Sequence, residues 1–210
     1  MLALGGPRLV GVILAAPGEP VLRRLQDQQP VAAADLRTLI EAQEAARPWL
    51  ADGRIRTDLG LAWLLLSETQ AQDAPDEAAA AMQKAAVALR DGLARAPANP
   101  YAWSRLAYAE ALIEGWTPAA VAALRLALIT APYEPRLLWS RLQMTFLAWP
   151  RLSAEDRDLV FQQVRWAWQA NPAELAKLAV RSKQVNVVRA ALLRTPEEAL
   201  TFERLVAEQH

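Results

Sequence analysis

The chain has 210 residues, enough to bury a substantial core as one domain or as an elongated array. Lys plus Arg and Asp plus Glu stand at 23 each, so the formal net charge is zero and nothing marks the chain as a nucleic-acid binder. It has no cysteine, and its one histidine is the terminal His210, which argues against disulfides, thiolate metal sites, cysteine nucleophiles and histidine-based triads or zinc sites.

Residues 1–30 form an apolar segment followed by breakers. Met1 to Ala16 is apolar except for Arg8, with Gly5-Gly6-Pro7 interrupting it. The run Leu9 to Ala16 is too short to span a bilayer, which takes about 20 apolar residues, but is near the length of a signal-peptide core. For cleavage after Ala16, that alanine suits its position. Leu14 and Pro17 do not suit theirs, and Arg8 alone is a poor basic flank. Three readings follow: the distal end of a membrane anchor, a signal sequence, or a buried helix or strand-like arm. Membrane contact is expected through residues 1–24, where Arg8, Arg23 and Arg24 would lie beside headgroups. Gly18-Glu19-Pro20 and Gln29-Pro30 predict turns at 17–20 and 28–31.

Residues 31–210 read as a helical domain. Val31 to Arg47 predicts a helix with Asp35 near its cap and Leu36, Leu39 and Ile40 on one face. Pro48 ends it, and Ala51-Asp52-Gly53-Arg54 reads as a turn. Thr57 or Asp58 then caps a helix to about Thr69, and Leu64, Leu65 and Leu66 predict deep burial for it. A polar loop, Gln70 to Asp76, precedes a helix over 78–96 with Met82, Ala86, Leu89 and Leu93 on one side. Further helices are predicted from Pro100, over 118–131, from about Pro135, from Ser153 to Gln169, from Pro172 to about Ser182, over 185–193, and from Pro196 to Glu208. Thr195-Pro196-Glu197-Glu198 is a helix start, with Leu200, Phe202, Leu205 and Val206 available for burial in a closing helix.

Within this domain one tetrad occurs twice. Trp103-Ser104-Arg105-Leu106 and Trp139-Ser140-Arg141-Leu142 lie 36 residues apart, each after a proline-marked break. Trp103, Leu106 and Ala107, then Ala120, Leu124 and Ala127, then a closing Pro132, resemble the tetratricopeptide repeat. In the second copy Trp139, Leu142, Val160, Val164, Ala167 and Pro172 match, and Gln143 stands where the family has a small residue. The spacings Pro97 to Pro132 and Pro132 to Pro172, 35 and 40 residues, exceed the family period of about 34. The resemblance covers about residues 76–172. It implies an all-α fold, an α-solenoid of antiparallel helix pairs capped by a C-terminal helix, and partner binding without chemistry.

On that resemblance the partner-binding groove would be lined by Tyr101, Ser104, Tyr108, Leu137, Ser140 and Met144. These residues suit an apolar helix or extended segment, and lack the Lys and Asn with which part of the family grips a terminal carboxylate. Trp103 and Trp139 are expected in the packing between helix pairs. Trp116 and Trp149 fall in turns, and of Trp166 and Trp168, two apart on a helix, one should be more exposed. Trp116, Trp149 and Trp166 are therefore the candidate exposed aromatic contacts. Glu155, Asp156 and Asp158 suit a solvated helix N-terminus, and Glu110 with Glu114 a solvated helix face.

No catalytic residue, metal ligand or cofactor is expected. The layout is similar to that of accessory proteins of cell-surface polysaccharide assembly. The expectation is a non-enzymatic scaffold, an accessory subunit of a bacterial envelope or membrane complex on the periplasmic side of the inner membrane, with a cytoplasmic location as the alternative. A second functional reading is a regulatory or carbohydrate-binding helical domain serving an enzyme whose catalytic part lies elsewhere.

Overall fold

The computed structural model describes residues 6–209. Among these the regular structure is all-helical, with no strand. The chain divides into two compact units, Met1–Gly115 and Trp116–His210.

The first unit holds α1 (Gly6–Ala15), α2 (Glu19–Gln26), α3 (Ala33–Ala46), α4 (Gly53–Gln70), α5 (Pro75–Arg95) and α6 (Pro100–Glu114). The apolar N-terminal stretch is thus helical from Gly6 to Ala15, while Met1 to Gly5 lie outside the described residues. The turn expected at 17–20 is instead a 3-10 turn, Ala16–Gly18, running directly into α2. Gly18 allows this, since a Cβ there would come within 2.7 Å of Leu39 Cδ1.

Helix α4 starts at Gly53, earlier than the expected Thr57 or Asp58. Asp52 is its N-cap, accepting the Arg54 N–H at 2.9 Å. The Asp-Gly pair that reads as a turn is therefore a helix start. Helix α5 likewise begins at Pro75, which shortens the expected loop. A Cβ on Gly53 would lie 2.7 Å from the Gly92 carbonyl oxygen, and one on Gly92 2.9 Å from the Gly53 carbonyl oxygen. The α4 and α5 backbones meet at this pair of glycines. The core of this unit collects Val21, Leu22, Leu36, Leu39, Leu59 and Leu66. The predicted face of α5, Met82, Ala86, Leu89 and Leu93, is buried as well.

The second unit holds α7 (Pro118–Thr130), α8 (Pro135–Ala148), α9 (Ala154–Ala170), α10 (Pro172–Arg181), α11 (Val185–Leu192) and α12 (Pro196–Ala207). Its helix starts follow from local chemistry. Proline occupies the first position of α7, α8, α10 and α12, where its missing N–H costs nothing. Thr117, Ser153 and Asn171 accept backbone N–H groups as N-caps at 3.3, 3.1 and 3.1 Å, each stabilising its helix by about 1 kcal/mol. Thr195 departs from expectation: its hydroxyl donates back to the Leu192 carbonyl at 3.1 Å, so it does not cap α12.

The small and apolar positions read from the repeat are buried: Leu106 and Ala107 in the first unit, and Ala120, Leu124, Ala127, Val160, Val164 and Ala167 in the second. The tryptophans of the tetrad are not the core residues expected. Trp103 and Trp139 are half-buried, and the Trp103 indole N–H donates to the Pro97 carbonyl at 2.7 Å. The second tetrad buries Leu142 and, unexpectedly, the charged Arg141, both at 0% exposure. Its guanidinium donates to the Ala127 and Ala131 carbonyls, both at 2.8 Å, at the C-terminal end of α7. Those carbonyls lack helical partners, and a cation there opposes the negative end of the helix dipole. In the closing helix Phe202 and Val206 are buried while Leu200 is exposed. A bidentate pair, Arg189 Nε to Glu203 Oε1 at 2.6 Å and Nη2 to Oε2 at 2.7 Å, ties α11 to α12. The Arg189 hydrogen bonds hold the Glu203 carboxyl below its ordinary range.

Candidate interaction site

The six expected groove positions fall three on α6 in the first unit and three on α8 in the second, so each triplet stands by itself. On α6, Ser104 is buried, Tyr101 is half-buried with the Arg105 guanidinium 5.9 Å from its ring centroid, and Tyr108 is half-buried. Burial raises the Tyr108 hydroxyl, as does its hydrogen bond to Glu68 of α4. On α8, Leu137 and Met144 are buried, and the exposed Ser140 donates its hydroxyl to the Leu137 carbonyl at 3.1 Å.

Of the candidate aromatics, Trp116 is half-buried. Trp149 packs on Phe161 with centroids 5.9 Å apart and lies under Arg157 at 5.0 Å. Trp166 is half-buried against Tyr133 at 5.4 Å, while Trp168 is buried beside Phe202, which is the asymmetry expected of that pair. The exposed aromatics the sequence reading missed are Trp49 and Tyr133.

Of the acidic residues expected in solvent, Glu114, Glu155 and Asp158 are exposed, whereas Glu110 and Asp156 are buried. Glu110 is buried and receives Arg90 Nε at 3.0 Å, whereas Glu114 is exposed. Asp156 is buried in a capping box with Ser153, and Glu155 pairs with Arg125 at 3.2 Å. On α4, burial raises the Asp58 carboxyl despite the nearby Arg54 and Arg105, and burial lowers Arg105.

The surface with the form of a binding site lies elsewhere, between α3 and α5 where both flank α4. Two cavities of about 400 and 810 Å³ adjoin there, and both are lined by Trp63, Ala80 and Lys84. Leu59, Leu66 and Ala88 add apolar lining. Trp63, on a helix expected to be deeply buried, is half-exposed, with the Lys84 ammonium 4.3 Å from its ring centroid. Such cation–π contacts are worth roughly 0.5–1 kcal/mol at an exposed site. Arg37, Glu41, Glu44 and Arg47 line the α3 side, and Val87 of α5 is 61% exposed.

One end of the trough is fixed by charge. Arg56 is buried, donating to Asp91 at 2.5 Å and to the Leu50 carbonyl at 2.9 Å. Burial pushes the Asp91 carboxyl up, but Arg95 and Arg56 together hold it below its ordinary value. The polar residues on α3 at spacings of three and four were the readable sign of this trough. The turn of Trp63 toward it was not readable, because the apolar residues on every side of α4 hide its exposed stripe.

Comparison with family models, curated proteins and solved structures yields no match for this chain.

Proposed function

We propose that this is a non-enzymatic scaffold protein that binds a helical or extended segment of another protein along the trough between α3 and α5. The trough carries the reading. It combines an apolar floor, an indole set into it, and walls bearing both charge signs, the pattern on which an amphipathic segment docks. In the first unit α1 packs on α3 and each helix from α2 to α6 packs on the next, in the second each helix from α7 to α12 packs on the next, and α4 with α6, α9 with α11 and α10 with α12 pack as next-but-one neighbours. That pattern supports a tetratricopeptide-like α-solenoid of antiparallel pairs closed by α12. The chain serves as an accessory subunit of a bacterial envelope complex, with its helical body on the periplasmic side of the inner membrane. Cell-surface polysaccharide assembly is the setting its layout suggests.

The test is affinity purification from native membranes in mild detergent, comparing the wild type with Val87→Glu. Val87 is exposed, so the variant should keep its helical circular dichroism and melting temperature. Recovery of a defined partner should fall at least tenfold in the variant, since tenfold is about 1.4 kcal/mol and a glutamate in an apolar contact costs more. Equal recovery with both proteins, or a wild-type chain that comes away alone, overturns the reading.

A further inference from the structure

Helix α1 has two unlike faces. Gly11 and Ala15 are buried, and a Cβ on Gly11 would lie 2.5 Å from Leu50 Cγ and 3.0 Å from Trp49 Cβ, so this face lies directly on the segment after α3. The opposite face carries Leu9, Val12 and Ile13 at 61%, 59% and 61% exposure. Trp49, at the same seam, is 46% exposed. Single exposed apolar residues are normal, but three aliphatic side chains on one helix face beside an indole mark a surface that another phase or molecule covers.

Charge narrows the choice of what covers it. Arg8 is the one charged residue of α1, and no Asp or Glu occurs before Glu19. Met1-Leu2-Ala3-Leu4-Gly5, which precede α1, are apolar too. A second copy meeting this face through its own α1 would bring another Arg8 and no acid from that helix, whereas anionic headgroups complement it. The ten described residues of α1 make a helix of about 15 Å, half the hydrocarbon thickness of about 30 Å and a length that suits lying along a surface. No described helix is long and apolar enough to cross a membrane.

We propose that α1 lies in the plane of an anionic lipid bilayer, with Leu9, Val12 and Ile13 at the acyl boundary and Arg8 and Trp49 at headgroup level. This deepens the membrane association proposed above and rests on it, but it uses a different surface from the trough.

The full chain is sedimented with phosphatidylcholine vesicles and with vesicles of equal parts phosphatidylcholine and phosphatidylglycerol. It should bind the mixed vesicles more tightly and lose that preference as salt is raised. Val12→Glu should weaken binding to both at least tenfold with its circular dichroism unchanged, because Val12 is exposed. Arg8→Gln should weaken binding to the mixed vesicles alone, by about fivefold, the worth of one basic residue at such a surface. The chain has no cysteine, so an environment-sensitive dye on Ile13→Cys reports directly and should brighten on the mixed vesicles. Absence of vesicle binding overturns the inference, as does a dimer in sedimentation velocity that Val12→Glu dissolves. Val87→Glu should bind vesicles normally, so failure on lipid with partner capture intact removes only this inference.

Discussion

Gly92 shows how one residue sets the distance between two helices. An alanine there would place its Cβ 2.9 Å from the Gly53 carbonyl oxygen and 2.9 Å from the Thr57 backbone nitrogen. Neither atom is the far end of a flexible side chain, so the α4 and α5 backbones must separate. Helix propensity favours alanine over glycine by about 1 kcal/mol. Overpacking a tight contact costs about 1–3 kcal/mol and sometimes more. We expect Gly92→Ala to be net destabilising by up to about 2 kcal/mol, and therefore to lower the melting temperature by a few degrees. An unchanged or raised melting temperature would show that the two backbones have room to part. Such a role is not visible in sequence, because the partner atom lies on another helix. Arg141 was hidden for the same reason. The repeated tetrad draws the eye to its tryptophan, yet its second copy buries an arginine beside Leu142, and the acceptors of that arginine, the Ala127 and Ala131 carbonyls, lie at the end of the preceding helix.

Helix boundaries were the most legible feature, because their causes are local. Prolines at the first positions of α7 and α10, and Ser153 with the acids after it at α9, placed these helices where the structure has them. The miss at Asp52-Gly53 arose because the same two residues serve a turn or a helix start, and tertiary contact with α5 decides. The ends of α2 and α10 hold a different surprise. Gln28 and Lys183 have φ of 57° and 58°, the left-handed conformation that closes a helix and favours glycine. Around Lys183 the closing bonds are complete: its own N–H reaches the Val180 carbonyl at 3.0 Å, and the Gln184 N–H reaches the Ala179 carbonyl at 2.8 Å. A side chain in this conformation costs about 1–2 kcal/mol, part of which a glycine gives back in unfolded-state entropy. Lys183→Gly should therefore raise unfolding free energy by about 0.5–1 kcal/mol in urea titration. A loss of stability would mean that the lysine side chain holds α10 in a way its exposed position does not suggest.

At the scale of the whole molecule, the all-α class was legible and the grouping of helices was not. The sequence sets residues 1–30 apart by composition, yet α1 and α2 pack on α3 within the first unit. The first tetratricopeptide-like pair, read across Pro97 to Pro132, straddles the boundary between Gly115 and Trp116. Periodicity identifies helices with apolar faces; it does not say which face meets which. The expected groove residues followed from repeat register, whereas the trough depends on α3 and α5 both choosing α4. The first unit has what an independent fold requires. Its core cluster draws on α2, α3, α4 and α5, and a cut after Gly115 interrupts no helix. Gly115 itself, at φ 77° and ψ −169°, lies in a region essentially restricted to glycine, so the backbone there already departs from helix. A chain ending at Gly115 should therefore keep its helical circular dichroism and melt in one cooperative transition. At 115 residues such a unit has an unfolding enthalpy of about 80 kcal/mol, so the transition should be sharp. A broad, gradual loss of helix would show that this core needs the second unit to hold it.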